Sequence, residues 1–370
     1  MKSIAVFYAS EGTGHRTAAE NLAERFKLDN PDGQSLCADI LDCVPKLLHA
    51  GLSNYYLWTV RWWPWLWGKS YWGSDKPGVT KFCCDLAHKL LCKMYISKAE
   101  RRVREMNAEA VFFTHYFGAE HFAKRNPDIP VFFVNTDYET HIFQRSDIYA
   151  ASFVPSRTAL GQYAKENIEN VYNSGIPVAA KFETALSKET ARKKLGIGEN
   201  RRVILVSGGG IGAGSIEKIA ASLAKRKNRL TVVICGNNKS LRKKLEKIYK
   251  ADENVRIEGY VNNMEEFYRA ADLGIIKPGG LTLAETLACG LPLLIMTPVP
   301  GQEECNLRCV CGEGAALKLD NAEKAAETAE LILDNPQKLA ELTANAKRIA
   351  RPDAAEEILK IAGQIIKHTN

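Results

Sequence analysis

The chain has 370 residues, of which 46% are hydrophobic and 25% charged, and this composition excludes a collagen-like, coiled-coil or disordered protein. No apolar run approaches the roughly 20 residues of a membrane-spanning helix, and ten cysteines without a secretory leader favour reduced thiols in the cytoplasm. The formal net charge of +7 lies in residues 58–104, which hold ten lysines and arginines against three acidic side chains.

Short apolar runs alternate with helical patterns along the chain. The first run, residues 3–9, precedes a glycine-containing loop and a helical pattern over residues 17–26. Later runs predict strands at 110–114, 130–135, 150–154, 202–207, 230–235, 255–258, 273–276 and 292–296. Strands separated by helices are typical of parallel sheets covered on both faces. The sequence therefore predicts an α/β fold with two doubly wound, Rossmann-like domains that face a cleft.

Turn residues mark the boundary between the two predicted domains. Residues 173–177 read NSGIP, and a new strand–glycine–helix pattern begins at Arg202. We therefore expect one domain over residues 1–175 and a second over residues 176–350. Residues 351–370 hold a predicted amphipathic helix that could pack back on the first domain.

All six tryptophans fall within residues 58–72, beside the basic charges. They are Trp58, Trp62, Trp63, Trp65, Trp67 and Trp72. Indole rings prefer the boundary of a bilayer, and a basic, aromatic stretch too short to span the bilayer is typical of a segment that lies in the interface of an anionic membrane. A packed aromatic core and a stacking platform for single-stranded nucleic acid are the alternatives.

The loop after the first predicted strand is the first candidate site. Gly12 and Gly14 let a substrate approach the backbone, and His15 stands near the start of the next helix. The loop follows the carboxyl end of a strand, where doubly wound sheets bind their ligands. His15 could therefore act as a general base near neutral pH, or it could make only a structural hydrogen bond.

A glycine-rich loop follows the predicted strand at 202–207. Residues 207–214 read SGGGIGAG, in which Gly209 and Gly210 offer backbone amides to a phosphate. A nicotinamide-binding loop would need an acidic residue at the end of the next strand, but that strand ends in CGNN at 235–238. The pattern favours anion binding over a nicotinamide cofactor.

A second strand–glycine–helix turn lies at residues 276–285, IKPGGLTLAE. The first turn of its helix offers free amides to a diphosphate, from Gly279, Gly280, Leu281 and Thr282. Glu285 is one turn beyond Thr282 and could accept both hydroxyls of a ribose. A capping box requires the same Thr-x-x-Glu spacing, so a structural role is compatible with the binding role.

The loop at residues 298–306 carries Gln302 and Glu303, which could hydrogen-bond sugar hydroxyls, although a polar surface loop would look much the same. The nearby cysteines Cys305, Cys309 and Cys311 have irregular spacing and no fourth ligand, so a metal site is disfavoured.

Three segments carry a resemblance to a known family. KPGGLTLAETLACGLPLLIMTPVPGQEECN resembles the donor-site signature of glycosyltransferase family 28, in the branch of monogalactosyldiacylglycerol synthases and processive diacylglycerol glucosyltransferases. GTGHRTAAENL resembles the N-terminal histidine loop of that branch, and PVFFVNTDYETHIFQRSDIYAASFVPS resembles its acceptor-domain TD segment. The three motifs occur in the expected order over nearly the whole chain.

The resemblance implies a GT-B fold and an inverting, metal-independent transfer of a hexose from a UDP-sugar to a membrane-lipid hydroxyl, with diacylglycerol as the first acceptor to consider. It implies no cofactor besides the UDP-sugar substrate, no nucleic-acid partner, and peripheral attachment to the anionic inner face of the cell membrane. A peptidoglycan-precursor-type polyprenyl-lipid glycosyltransferase and a UDP-sugar epimerase are the alternatives. The hexose, the lipid, the number of sugars added and the oligomeric state stay open.

The resemblance also implies roles for single residues. The first domain would bind the acceptor and the membrane and the second the nucleotide sugar. His15 would be the base or an acceptor-site residue, and Asp137 of the TD motif would orient His15 or contact the acceptor. The donor residues would be Gly209, Gly210 and Gly279 to Thr282 for the diphosphate, Glu285 for ribose, Val261 and Met264 for uracil, and Gln302 and Glu303 for the hexose. Two departures from the family pattern are Glu11 in the histidine loop and YETHIFQ after the TD motif.

Overall fold

The computed structural model describes residues 1–10, 12–44, 51, 59, 62–76, 78–184, 186–210 and 212–369. The chain divides into two compact units. Unit 1 comprises Met1–Ala180, Val299–Cys305 and Arg351–Asn370, and unit 2 comprises Lys181–Pro298 and Asn306–Ala350. Trp58 and Glu11, both singled out in the sequence, lie outside the described residues.

The described strands form two parallel sheets of six strands each. Those of unit 1 are β1 (Ser3–Tyr8), β2 (Gln34–Asp39), β3 (Ala110–Phe113), β4 (Val131–Val134), β5 (Ala151–Phe153) and β6 (Val171–Tyr172). Those of unit 2 are β7 (Arg202–Ser207), β8 (Arg229–Ile234), β9 (Val255–Glu258), β10 (Leu273–Ile276), β11 (Leu293–Ile295) and β12 (Ala316–Lys318).

Helices alternate with these strands. The first five are α1 (Thr13–Asp29), α2 (Pro64–Ser74), α3 (Val79–Glu105), α4 (Ala119–Arg125) and α5 (Arg157–Ala164). They are followed by α6 (Lys188–Leu195), α7 (Ile216–Leu223), α8 (Lys239–Ile248), α9 (Met264–Ala270) and α10 (Gly280–Ala288). The last are α11 (Gln302–Gly312), α12 (Ala325–Leu333), α13 (Pro336–Ile349) and α14 (Ala354–Thr369). Among the described residues, none of these helices combines the length and the apolar character needed to cross a bilayer.

The centre of the unit 1 sheet is buried on both faces because β1, β3 and β4 are apolar at nearly every position. Ile4 and Val6 of β1 point to the side covered by α1 and α14. Ala5 and Phe7 point to the opposite side, which is covered by α3 and α4. Continuous apolar strands of this kind are expected where helices cover both faces of a parallel sheet.

The strand order of unit 1 is β2-β1-β3-β4-β5-β6. Strand β1 lies between β2 and β3, so the chain leaves β1 towards one side of the sheet and then crosses to the other side. This change of direction opens a crevice beyond the carboxyl end of β1. The loops that follow β1, β3 and β4 therefore meet at one edge of the sheet.

The strand order of unit 2 is β12-β11-β10-β7-β8-β9. Strands β7 and β10 are neighbours, with Ser207 opposite Ile276. The switch in strand order lies between them, so the glycine-rich loop after β7 and the Gly-Gly turn after β10 lie side by side.

The α/β fold predicted from the alternation of strands and helices is confirmed, and the predicted strands occur within a residue or two of their expected bounds. Helix α1 begins at Thr13 rather than residue 17, which places His15 in its first turn. Strands β2, β6 and β12 were not predicted, since they are short or mix polar with apolar residues. The C-terminal helix α14 packs on α1, where Arg25 and Glu356 form an ion pair.

Candidate active site

The carboxyl ends of β1, β3 and β4 bring His15 together with two threonines. The Nδ1 atom of His15 lies 2.8 Å from the carbonyl oxygen of Thr114 and 2.7 Å from Oγ1 of Thr136. The Thr114 hydroxyl also donates to the backbone carbonyl of His15 at 3.0 Å. The ring and the main chain of His15 are thus both fixed by the end of β3.

These contacts determine which nitrogen of His15 carries the proton. A carbonyl oxygen can only accept, so Nδ1 must carry the hydrogen that faces Thr114. In the neutral ring Nε2 then holds the lone pair, and the described residues offer it no hydrogen bond. This is the tautomer that a general base requires.

Burial keeps His15 neutral. The pKa of His15 lies below its usual 6.5 chiefly because the partly buried ring is poorly solvated, while the negative charge of Asp137 acts in the opposite direction. Asp137 therefore acts on His15 through its charge, and Thr114 and Thr136 provide the hydrogen bonds that orient the ring.

A cavity of about 380 Å³ within unit 1 contains this site. Its walls come from α2, α3, the loops after β3 and β4, and the segment Val299–Cys305. The lining residues are His15, Trp67, Ser70, Tyr71, Ser74, Cys84, Asp85, Ala87, His88, Leu91, His115, Tyr116, Phe117, Asp137, His141, Phe143, Gln144 and Gln302. Three residues that the sequence singles out thus line one cavity: His15 as the candidate base, Asp137 of the TD motif, and Gln302 as a candidate hexose-binding residue.

Three further histidines line the cavity, and sequence reasoning did not single them out. Each accepts a backbone amide on a ring nitrogen: His88 from Gly118, and His115 and His141 from the residues two positions ahead of them. Burial lowers the pKa of all three, that of His88 to about 4. The three histidines thus act as hydrogen-bond acceptors for the backbone of the cavity wall, whereas the Nδ1 of His15 faces a carbonyl oxygen.

The family departure YETHIFQ supplies part of this wall. Its His141 bonds through Nε2 to the carbonyl of Tyr71 at 3.3 Å, and it lies 3.2 Å from the Ser74 hydroxyl. Its Gln144 receives the amide of His141 at 2.8 Å, which closes the short 3₁₀ turn Ile142–Gln144. The segment therefore anchors α2 over the cavity.

The predicted tryptophans divide into two groups. Trp62, Trp63 and Trp65 are exposed, by 62%, 42% and 59%, so the packed-core alternative is wrong for them. Trp67 and Trp72 are half-buried and turn towards the segment Val299–Cys305.

The two glycines predicted beside His15 lie at the start of α1. Gly12 precedes α1 in a backbone conformation that favours glycine, with φ of 131°, and Gly14 lies in the first turn beside His15.

Helix α3 adds exposed apolar side chains to those of α2. Val79, Phe82, Leu86 and Leu90 follow one another at helical spacing and are exposed by 50–79%. Together with Trp62, Trp63, Trp65 and Leu66 they form what we call the apolar surface. It holds eight of the twelve large hydrophobic side chains that are exposed among the described residues. Exposed Lys69 and Lys89 stand beside it.

The two glycine motifs of unit 2 meet at the edge of its sheet. A side-chain carbon added to either Gly209 or Gly279 would lie 3.8 Å from Oγ1 of Thr282. Gly210 contributes its carbonyl to the amide of Asn237 at 2.9 Å, which holds the loop against the end of β8. The amides of Gly280, Leu281 and Thr282 at the start of α10 have no acceptor among the described residues. This cradle of free amides is suited to an anion.

The start of α10 tests the capping-box interpretation of Thr282. The helix is capped by Gly279, without a side-chain hydrogen bond, and Thr282 already lies in its first turn. Thr282 is not an N-cap, so the capping-box interpretation of Thr282 and Glu285 is wrong. The hydroxyl of Thr282 instead faces the glycine loop.

Glu285 is a carboxyl with a perturbed pKa. Burial raises its pKa to about 7, although Lys181 and a hydrogen bond from the Tyr268 phenol oppose the shift.

The two predicted uracil-binding residues lie at the turn between β9 and α9: Val261 follows β9, and Met264 begins α9. Both are half-buried.

The segment Val299–Cys305 belongs to unit 1 and lies on α2. Gln302 lines the cavity, and its Oε1 accepts the indole N–H of Trp67 at 3.3 Å. Glu303 is buried, and its carboxylate accepts the amide of Val299 at 3.0 Å, so it shapes the turn from inside. Of the two predicted hexose residues, Gln302 is thus the one that lines the cavity.

The three cysteines weighed as metal ligands in the sequence all lie on α11. Cys305 and Cys309 are buried, Cys311 is half-buried, and none of the three is in a disulfide. Among the residues that the structure describes, no three His, Cys, Asp or Glu side chains cluster as metal ligands would.

Two family models match the chain, one in each half. The model for monogalactosyldiacylglycerol (MGDG) synthase matches residues 15–178, and that for glycosyl transferases group 1 matches residues 187–349. A processive diacylglycerol beta-glucosyltransferase of Bacillus licheniformis is 27% identical over 97% of this chain and 94% of its own length. Both halves of the chain are thus similar to glycosyltransferases, and the protein is a glycosyltransferase.

Solved structures support the fold of this glycosyltransferase. MurG of Acinetobacter baumannii shares it with a TM-score of 0.64 at 17% identity, over 98% of this chain and 100% of that one. A UDP-GlcNAc 2-epimerase from Neisseria meningitidis, bound to UDP-GlcNAc, has a TM-score of 0.61 at 14% identity, over the same shares. The GT-B fold implied by the sequence resemblance is confirmed. Since transferase and epimerase share it, the fold alone does not fix the reaction.

Proposed function

We propose that this enzyme transfers a hexose from a UDP-sugar to the hydroxyl of a membrane lipid, with inversion and without a metal, and that diacylglycerol is the acceptor. The observation that carries the proposal is the basic Nε2 of His15 in an aromatic cavity that Gln302 also lines. The relative from Bacillus licheniformis carries the name of a diacylglycerol glucosyltransferase.

In the proposed reaction the acceptor oxygen attacks the anomeric carbon while His15 takes its proton at Nε2. The bond between the anomeric carbon and the diphosphate oxygen breaks in the same step, and UDP leaves with the electron pair. Attack opposite the leaving group inverts the anomeric centre. A single base suffices for this step, and the neutral state of His15 prepares it for proton transfer.

Unit 2 would bind the nucleotide part of the donor. The free amides of Gly280, Leu281 and Thr282 can stabilise the charge that develops on the diphosphate, which is the work a metal does in other enzymes. Glu285 would accept the ribose hydroxyls, and the turn with Val261 and Met264 would hold uracil. Gly209 and Gly210 would complete the phosphate cradle.

The apolar surface would hold the enzyme on the inner face of the membrane. Its tryptophans and leucines can enter the headgroup boundary, and the lysines beside it can pair with anionic lipids. Helix α3 carries this surface on one side and lines the cavity with His88 and Leu91 on another. A UDP-sugar epimerase would have no use for such a surface. A polyprenyl-linked acceptor would use it equally well.

Transfer to vesicles tests the proposal. Purified protein would be incubated with anionic vesicles that contain diacylglycerol and with radiolabelled UDP-glucose, UDP-galactose or UDP-N-acetylglucosamine, with and without EDTA. We expect label in the lipid phase from one sugar, at the same rate in EDTA. Label only with a polyprenyl phosphate lipid would overturn the acceptor, and isomerised UDP-sugar without transfer would favour the epimerase.

A further inference from the structure

Helix α2 and the segment Val299–Cys305 approach each other unusually closely. A side-chain carbon added to Gly68 would come within 2.7 Å of the Pro300 side chain, and one added to Gly301 within 2.9 Å of the Tyr71 ring. Gly301 has a φ of 97°, which other residues rarely adopt. Two glycines, one on each side, thus allow the two backbones to meet.

Two indole groups cross this contact. Nε1 of Trp67 donates to Oε1 of Gln302 at 3.3 Å, and Nε1 of Trp72 donates to Oε2 of Glu304 at 3.4 Å. The same Glu304 oxygen accepts the amide of Gly301 at 3.0 Å and so closes the turn. The two donors on α2 are five residues apart, and so the segment is held at two points.

The indole group imposes a direction on the Gln302 amide. An indole N–H can only donate, so the amide oxygen must face Trp67 and the amide nitrogen is turned away from it. A phenylalanine at residue 67 would fill a similar space but could not donate this hydrogen bond to the amide oxygen. The chemistry that Gln302 presents to the cavity therefore depends on Trp67.

We propose that Trp67 is a positioning residue for sugar recognition: it fixes the Gln302 amide against the hexose of the nucleotide donor, and Trp72 supports it by ordering the turn through Glu304. The inference rests on the proposed function in taking Gln302 as a hexose-binding residue. It assigns Trp67 and Trp72 a task distinct from that of the exposed Trp62, Trp63 and Trp65.

The test compares the affinities for a UDP-hexose and for UDP, measured by calorimetry in lipid-free buffer with UDP-glucose and UDP-galactose as probes. Trp67→Phe should lower the affinity for the preferred UDP-hexose about fivefold, as expected for one lost hydrogen bond, and leave that for UDP unchanged. Trp72→Phe should act in the same direction. Trp65→Phe removes an exposed indole N–H from the same helix and should not alter the ratio of the two affinities.

A double-mutant cycle shows whether Trp67 acts through Gln302. In a Gln302→Ala background, Trp67→Phe should cause no further loss, because the amide it positions is gone. An unchanged affinity ratio in Trp67→Phe, or independent losses from the two substitutions, would overturn the inference. Failure of the proposed function would differ from failure of this inference. A protein that binds UDP-hexose but never labels a lipid would still show in this cycle whether Trp67 acts through Gln302.

Discussion

The hydrogen on Nδ1 of His15 determines which ring nitrogen can accept a proton. Since the Thr114 carbonyl holds that hydrogen, the ring can take a substrate proton only at Nε2. An imidazolium formed in the proposed reaction would keep its hydrogen bond to Thr114 and gain from the negative charge of Asp137. The proposed base would therefore be oriented before the reaction and stabilised during it.

His15→Ala should lower turnover about 100-fold or more, the usual contribution of a general base, while the affinity for the UDP-sugar changes little. Steady-state kinetics with a separate measurement of donor binding checks this. His368→Ala, which removes an exposed histidine at the C-terminal helix, is the matched control. Unchanged turnover in His15→Ala would exclude this residue as the base.

Glu285 should make nucleoside binding depend on pH. Burial raises its pKa to about 7, so the carboxylate that would accept the ribose hydroxyls predominates only above that pH. Uridine affinity should therefore rise up to about tenfold between about pH 6 and about pH 8. Uridine is the probe because it has no phosphate that titrates in this range.

Calorimetric titration of uridine into the wild type and Glu285→Gln separates this effect from others. The amide variant cannot ionise, so its uridine affinity should be weaker and independent of pH. A wild-type affinity that stays constant over the same range would contradict the assignment of Glu285 to the ribose.

At the scale of the element, helix α3 works on two sides. Its inner side packs in the core through Tyr95 and Ile96 and lines the cavity through His88 and Leu91, while Leu86 and Leu90 lie outside. A helix with apolar residues on both sides is normally buried. The exposed apolar side of α3 is therefore the feature that supports the proposed membrane contact.

Substitution of Leu86 and Leu90 by serine should weaken binding to anionic vesicles about tenfold or more, because two half-exposed leucines no longer enter the bilayer. Co-flotation with vesicles of anionic phospholipid and diacylglycerol measures it. Leu331→Ser on α12, where the leucine is 77% exposed, is the control. Equal flotation of both variants and the wild type would show that Leu86 and Leu90 of α3 do not contact the membrane.

At the scale of the whole molecule, the chain returns to unit 1 at its end. Helix α14 places Ile358 and Leu359 against α1 and the sheet, where Ile358 is fully buried. Unit 1 therefore depends on residues more than 300 positions away from its first strand. Folding of unit 1 can be completed only after the last helix has been synthesised.

Ile358→Ala should lower the free energy of unfolding of unit 1 by about 2–5 kcal/mol, the usual cost of a cavity left by a buried aliphatic side chain. Urea unfolding followed by circular dichroism measures it. Lys360→Ala, an exposed neighbour on the same helix, should change little. Equal transitions in the two variants would mean that α14 contributes no packing to unit 1.

The sequence predicted the fold and much of the site because both depend on local patterns. Strands followed by glycines identified the loop after β1 in unit 1 and the loops after β7 and β10 in unit 2, and the strand order of unit 2 places the last two side by side. The wall of the cavity could not be predicted in this way. His88, His115 and His141 come from three separate segments, and no local spacing relates them.

Two alternative interpretations of the sequence failed for a physical reason. The Thr-x-x-Glu spacing of Thr282 and Glu285 fits a capping box, but Gly279 caps the helix, so Thr282 already lies within its first turn. The packed-core alternative for the tryptophans was likewise wrong at Trp62, Trp63 and Trp65. Composition alone does not tell which side chains of a helix a neighbour covers.

The two sides of α3 also have a consequence for how the reaction would be measured. If this helix rests on a bilayer while lining the cavity of His15, the acceptor is supplied from within the membrane plane. The rate would then follow the mole fraction of acceptor among the lipids, and diluting it with inert lipid would slow the reaction at constant total acceptor. Kinetic constants for this enzyme would accordingly be expressed in units of surface concentration.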